Sequence, residues 1–166
     1  WDYESLRESF IALPGLTLYN NGDSERFEKV IDSTIKRHKD AMLLESDTPD
    51  SGLWFIRAIQ QYVDWGADAS AVWKKYGKWM VDILESFLNN ARASVRLHEN
   101  GLLWAQKYGV ALTWMNTYVD GRPVSERPGY QVEVNALWYN ALCFVRDLDL
   151  KFGKGKLVQK TDNIIG

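Results

Sequence analysis

Apolar and polar positions alternate at threes and fours along most of this chain, the period of amphipathic helices with one inward face. The strongest run covers residues 69–92. Val72, Trp73, Tyr76, Trp79, Met80, Ile83, Leu84, Phe87 and Leu88 share one face, and Lys74, Lys75, Lys78, Asp82 and Glu85 form the solvated one. The same period predicts helices over 3–12, 24–44, about 50–62 and 131–150. In the last of these, Val134, Leu137, Trp138, Ala141, Leu142, Val145 and Leu148 point inward. Leu13-Pro14-Gly15 predicts an interruption, after which the pattern resumes through Leu16-Thr17-Leu18. Asn20-Asn21-Gly22 predicts a turn, and Asp23 or Ser24 caps the helix that follows. Asp47-Thr48-Pro49-Asp50 is a second capping signal, with Pro49 suited to a first turn. Gly153 and Gly155 end the last long helix, and the tail starts another.

The rhythm fails between about 94 and 130. Val95-Arg96-Leu97, Asn100-Gly101 and Leu102-Leu103-Trp104-Ala105 predict a short hairpin, because Asn-Gly favours the φ > 0 geometry of tight turns. A loop with Gly121, Pro123, Pro128 and Gly129 follows. Loops beyond about 12–15 residues are usually functional or disordered, and this one holds two of the eight Trp residues, which favours function. The expected class is all-α: five to six helices, antiparallel in pairs, with a β-hairpin and loop insert near 94–130. At 166 residues the chain is the size of one domain.

Composition narrows the function. With 20 basic and 22 acidic residues the net charge is −2, so nothing electrostatic points to nucleic acid or an anionic membrane. No apolar run approaches the roughly 18 residues of a membrane span. The single cysteine, Cys143, cannot form an internal disulfide and reads as a small buried residue on a helix. Aromatic residues make up 13%. They fit core packing or carbohydrate binding, in which sugar C–H faces stack on rings, and composition does not choose between the two.

Metal and nucleophile chemistry lack support. His38 and His98 are the only histidines, and neither sits in a ligand-spaced cluster. No phosphate-cradling glycine pattern occurs, and no cofactor is expected. Carboxylates remain. Glycoside hydrolysis generally needs two, one to protonate the leaving oxygen and one as base or nucleophile. Glu8, Asp50, Asp120 and Glu133 stand among aromatics and turns. Spacing alone also allows Asp50 to be a helix cap and Glu133 a first-turn residue favoured by the helix dipole.

Five blocks carry a family resemblance. They are Arg7-Glu8-Ser9-Phe10-Ile11-Ala12-Leu13-Pro14-Gly15-Leu16, then Asp50-Ser51-Gly52-Leu53-Trp54-Phe55-Ile56, then Gly101-Leu102-Leu103-Trp104-Ala105 with Leu112-Thr113-Trp114-Met115, then Gly121-Arg122-Pro123-Val124-Ser125-Glu126-Arg127, and last Val132-Glu133-Val134-Asn135-Ala136-Leu137-Trp138-Tyr139-Asn140-Ala141-Leu142. In this order they resemble the glycogen debranching enzymes of bacteria and archaea, the amylo-alpha-1,6-glucosidase type. The resemblance implies that residues 1–166 are part of an (α/α)6 toroid glycosidase domain, truncated at both ends. It also implies cleavage of α-1,6-glucosidic branches of glycogen-like glucans with inversion. Separately, a cytoplasmic setting is expected.

Residue by residue, the family's general acid is the Asp closing a Leu-Thr-Trp-Met-Asp run, and this chain has Asn116 there. Asn has no titratable proton, though its amide can still hydrogen-bond a sugar oxygen. Asp120, four residues on, is a substitute acid if the segment is helical. The family's base lies downstream of the matched blocks, so no turnover is expected from this chain alone. Arg7, Glu8, Asp50, Trp54, Trp114 and Glu133 match positions that imply substrate binding. Trp138, on a periodic inward face, is expected in the core. Two alternatives stand beside the debranching reading. One is a carbohydrate-binding pseudoenzyme without the acid, and the other a toroid glycosidase for another glucoside. An arc of a toroid leaves apolar surface uncovered, and such surface pairs with something, so a homo-oligomer is expected.

Overall fold

The computed structural model describes residues 6–43 and 49–165. The helices are α1 (Leu6–Pro14), continued by a π-helical stretch (Gly15–Tyr19), α2 (Ser24–Leu43), α3 (Ser51–Trp65), α4 (Ala69–Leu88), α5 (Val132–Phe152) and α6 (Lys156–Ile165). α1 packs on α3, and α3 on α5. α2 contacts α4, and α4 and α6 both pack on α5. Odd and even helices therefore fall into two rows, with most of the core between and along them.

The first helix does not break at Leu13-Pro14-Gly15 as expected. Proline offers no N–H to the preceding turn, and the helix absorbs the lost bond by widening into π geometry. The Thr17 hydroxyl donates to the Leu13 carbonyl at 2.6 Å, supplying one partner from a side chain. Asp23 caps α2, accepting from the Arg26 N–H at 2.8 Å. α2 kinks at His38 (φ −124°, ψ 24°). The predicted start at residue 3 and the Asp47-Thr48 half of the second capping signal lie outside the described residues. Pro49 precedes α3 rather than entering its first turn, and the Asp50 side chain caps nothing. α4 stops at Leu88, where Asn90 turns left-handed (φ 51°).

Strand β1 (Val95–Leu97) pairs antiparallel with β2 (Leu103–Ala105), placing Arg96 opposite Trp104. A second hairpin went unpredicted: β3 (Tyr118–Val119) pairs with β4 (Arg122–Pro123). Its turn is Asp120-Gly121, both at positive φ (49° and 73°), as a two-residue type I′ turn requires. Each strand has only two residues, too short for a period-two signal.

One ring pair binds neighbours within the odd row, and another joins the two rows. Phe10 meets Phe55 edge-on at 5.6 Å, and Phe87 meets Trp138 at 5.4 Å. Trp138 is buried as expected, and its indole N–H donates to the Gly101 carbonyl at 3.2 Å. Gly52 lets α3 approach α4 closely, since a Cβ there would lie 2.9 Å from Cγ2 of Ile83. Cys143 is half-buried, less enclosed than expected. The buried Asp149 carboxylate accepts from the N–H groups of Lys154 (3.1 Å) and Leu157 (3.0 Å), fixing the turn from α5 into α6.

Candidate active-site wall

Consecutive residues on a helix point about 100° apart, so Arg7 faces inward while Glu8 looks out. Arg7 is 1% exposed. Its Nε donates to both Asp50 carboxylate oxygens (3.0 and 2.9 Å), and Nη2 donates to Oδ1 at 2.8 Å. Trp54, four residues along α3, adds its indole N–H to Oδ2 at 3.2 Å. The Asp50 carboxylate is thus fully engaged inside the protein. Arg7 Nη2 also donates to the Leu112 carbonyl at 3.0 Å. Its Nη1 is buried without a hydrogen-bond partner among the described residues, 3.9 Å from the half-exposed Glu8 carboxylate.

The strand-free segment 111–116 crosses this pair. Ala111, Leu112 and Thr113 are buried, and Trp114, Met115 and Asn116 emerge to solvent. The Trp114 side of the segment is held by a second arginine. Arg127 Nη1 donates to Thr113 Oγ1 at 3.0 Å, while its two terminal nitrogens grip the Glu133 carboxylate at 2.5 and 3.1 Å. Arg127 adopts a left-handed backbone (φ 49°), and the Gln131 side-chain amide donates to its carbonyl at 2.5 Å. Glu133 occupies the first turn of α5, where the helix dipole favours an anion. The Arg127 hydrogen bonds hold its carboxyl below the ordinary range. Partial burial opposes this, and its own backbone N–H and the Trp114 indole reinforce it. Glu133 is therefore an acceptor at neutral pH and a poor proton donor.

Arg7, Asp50, Trp54, Trp114 and Glu133 are joined through the two ends of one tripeptide, 112–114, and Glu8 borders Arg7. A depression of about 190 Å³ beside the exposed indole is lined by Trp114, Met115, Thr117, Val124 and Ser125. Asn116 and Asp120 are both exposed. Asp120 sits at the hairpin tip, not on a helix, so the helical condition on its role as substitute acid is unmet. The two alternating hydrogen-bonded strands, not an i, i+4 face, set where it points. Sequence reasoning overlooked Arg127 and Thr113 as site-builders. An arginine six residues ahead of a helix-opening Glu, with Pro128-Gly129 between them, was the available signal. Among the described residues no group of three or more His, Cys, Asp or Glu could hold a metal ion.

An all-α chain with carboxylates, guanidinium groups and an open indole along one wall has the side chains that sugar recognition uses. The family model described as Amylo-alpha-1,6-glucosidase matches residues 3–161. The chain therefore belongs to the amylo-alpha-1,6-glucosidase family, glycoside hydrolases of the glycogen-debranching type. No curated protein and no solved structure matches it. Among the described residues no helix is long and apolar enough to cross a membrane.

Proposed function

We propose that this chain is the glucose-facing wall of a site for α-1,6 branches of glycogen-like glucans, built as an arc of an (α/α)6 toroid. The two-row helix packing supports the arc. The observation that carries the binding role is the convergence of Arg7, Asp50, Trp54, Trp114 and Glu133 on segment 112–114, with the Trp114 indole 62% exposed beside an ionised carboxylate. Glu133 and Glu8 accept from sugar hydroxyls, Trp114 stacks on the ring, and the buried Arg7–Asp50 pair fixes the segment that carries Trp114. Binding of isomaltose by titration calorimetry, lost in Glu133→Gln and Trp114→Ala, tests this; equal affinity in all three proteins would overturn it.

Asn116 favours a second reading, a binding protein without turnover, because the position that donates the proton in the family holds an amide. Glucose release from a branched limit dextrin by the full-length protein separates the two. Activity gained in Asn116→Asp would mark a vacated acid position. Activity lost in Asp120→Ala would assign the proton to the hairpin tip. Exposed Ile11, Leu16 and Tyr19 along the first helix support self-association of the isolated chain, and a clean monomer on sedimentation at tens of micromolar would refute it.

A further inference from the structure

A second aromatic feature lies outside the site described above. At the end of the β1–β2 hairpin the His98 ring stacks on Trp104, with centroids 5.8 Å apart and planes within 10°. Tyr130 meets both edge-on, at 5.4 and 5.0 Å. A hydrogen bond of 2.6 Å between His98 Nδ1 and the Tyr130 hydroxyl locks the group. Reciprocal backbone bonds between Ala105 and Gly129 (3.0 and 2.9 Å) deliver Tyr130 to the hairpin. Gly129 serves here at φ 124°, a value closed to other residues, with the Trp104 ring 3.9 Å from where a Cβ would stand.

These rings are fixed before any ligand arrives, and Tyr130 remains 40% exposed. His98 and Tyr130, backed by Trp104, border an open depression of about 480 Å³ that Leu97, Glu99 and Asn100 also line. A rigid aromatic edge beside a carboxylate and an amide offers both faces of sugar chemistry, an apolar surface for C–H groups and acceptors for hydroxyls. Tyr130 is three residues from Arg127 and three from Glu133. Three residues span at most roughly 11 Å, which is the reach of about two sugar units in a chain.

We propose that His98, Trp104 and Tyr130 form an accessory subsite for a glucosyl residue of the α-1,4 main chain that carries the branch. The proposal rests on the reading of Trp114 and Glu133 as the branch-binding wall. A main chain that carries a branch glucose beside Glu133 has Tyr130 only three residues away along the backbone, within roughly 11 Å.

The experiment measures affinity of the 166-residue chain for maltoheptaose and for isomaltose by titration calorimetry. Tyr130→Ala should weaken maltoheptaose about fivefold to tenfold, the scale of one lost stacking contact, and leave isomaltose unchanged. Tyr130→Phe keeps the ring and should bind nearly as wild type. Glu99→Ala, at the exposed rim, should weaken maltoheptaose without touching the fold, so the test survives a poorly folded Tyr130→Ala. Wild-type maltoheptaose affinity in both Tyr130→Ala and Glu99→Ala would overturn the subsite while leaving the branch reading intact. Loss of isomaltose binding along with maltoheptaose in Glu99→Ala would overturn it too. A wild-type chain that binds neither sugar would sink both readings together.

Discussion

Two arginine–carboxylate pairs flank the same three residues, and they differ chiefly in how much water reaches them. Arg7–Asp50 is sealed, with side chains 1% and 4% exposed, and Arg127–Glu133 is open, at 30% each. Both use two guanidinium nitrogens on one carboxylate. The sealed pair also holds the Leu112 carbonyl and the Trp54 indole, so losing one partner strands the other charge in the interior. The open pair can be solvated when broken. One pair therefore sets where segment 112–114 lies, and the other presents a charged oxygen beside Trp114. Their burial suits the first to architecture and the second to a ligand.

Mutations can break this contrast. The largest effect is expected at the sealed pair: Asp50→Ala should cost about 3–5 kcal/mol of unfolding free energy, read from urea denaturation. Arg7→Met should cost about as much, and the double variant should recover part of the loss, because no stranded charge remains. At the open pair Glu133→Gln should change stability by less than about 1 kcal/mol while weakening isomaltose about tenfold or more, since a charged acceptor is lost. A large stability loss there, or unchanged sugar affinity, would erase the distinction. Asp120→Ala places a β-carbon residue without a turn-favouring side chain at φ 49°. It should cost the hairpin roughly 1 kcal/mol and leave isomaltose affinity unaltered.

The smallest effect concerns pH. The Glu133 carboxyl lies below its ordinary value of 4.5 in the folded protein, chiefly through Arg127. A carboxylate depressed on folding adds stability above its unfolded pKa and loses it as pH falls through the folded one. Stability measured from pH 6 downwards should therefore decline below about pH 4.5, and Arg127→Met should make that decline shallower. Glu28, depressed by its Lys75 partner, acts in the same direction and remains in both proteins, so the difference between the two curves isolates the open pair.

The amphipathic runs made α2, α4 and α5 legible, because a buried face at period 3.6 leaves its mark on every turn. Asn100-Gly101 marked the first hairpin, and the ordered blocks marked the family. Asp50 shows where local reasoning stops. Its position before a helix reads as a cap, yet its carboxylate meets a guanidinium 43 residues away. Pro14 read as a break, but the helix had a wider register available to it. The second hairpin was invisible because four strand residues make no periodicity.

The sequence by itself determined the helical class, the family and the amide at position 116, since these depend on local period and residue identity. The tertiary structure alone decided which arginine grips which carboxylate, which pair is sealed, and that Asp120 stands on a hairpin tip. Those outcomes rest on contacts between distant segments and on the exclusion of water, and neither leaves a mark in local spacing.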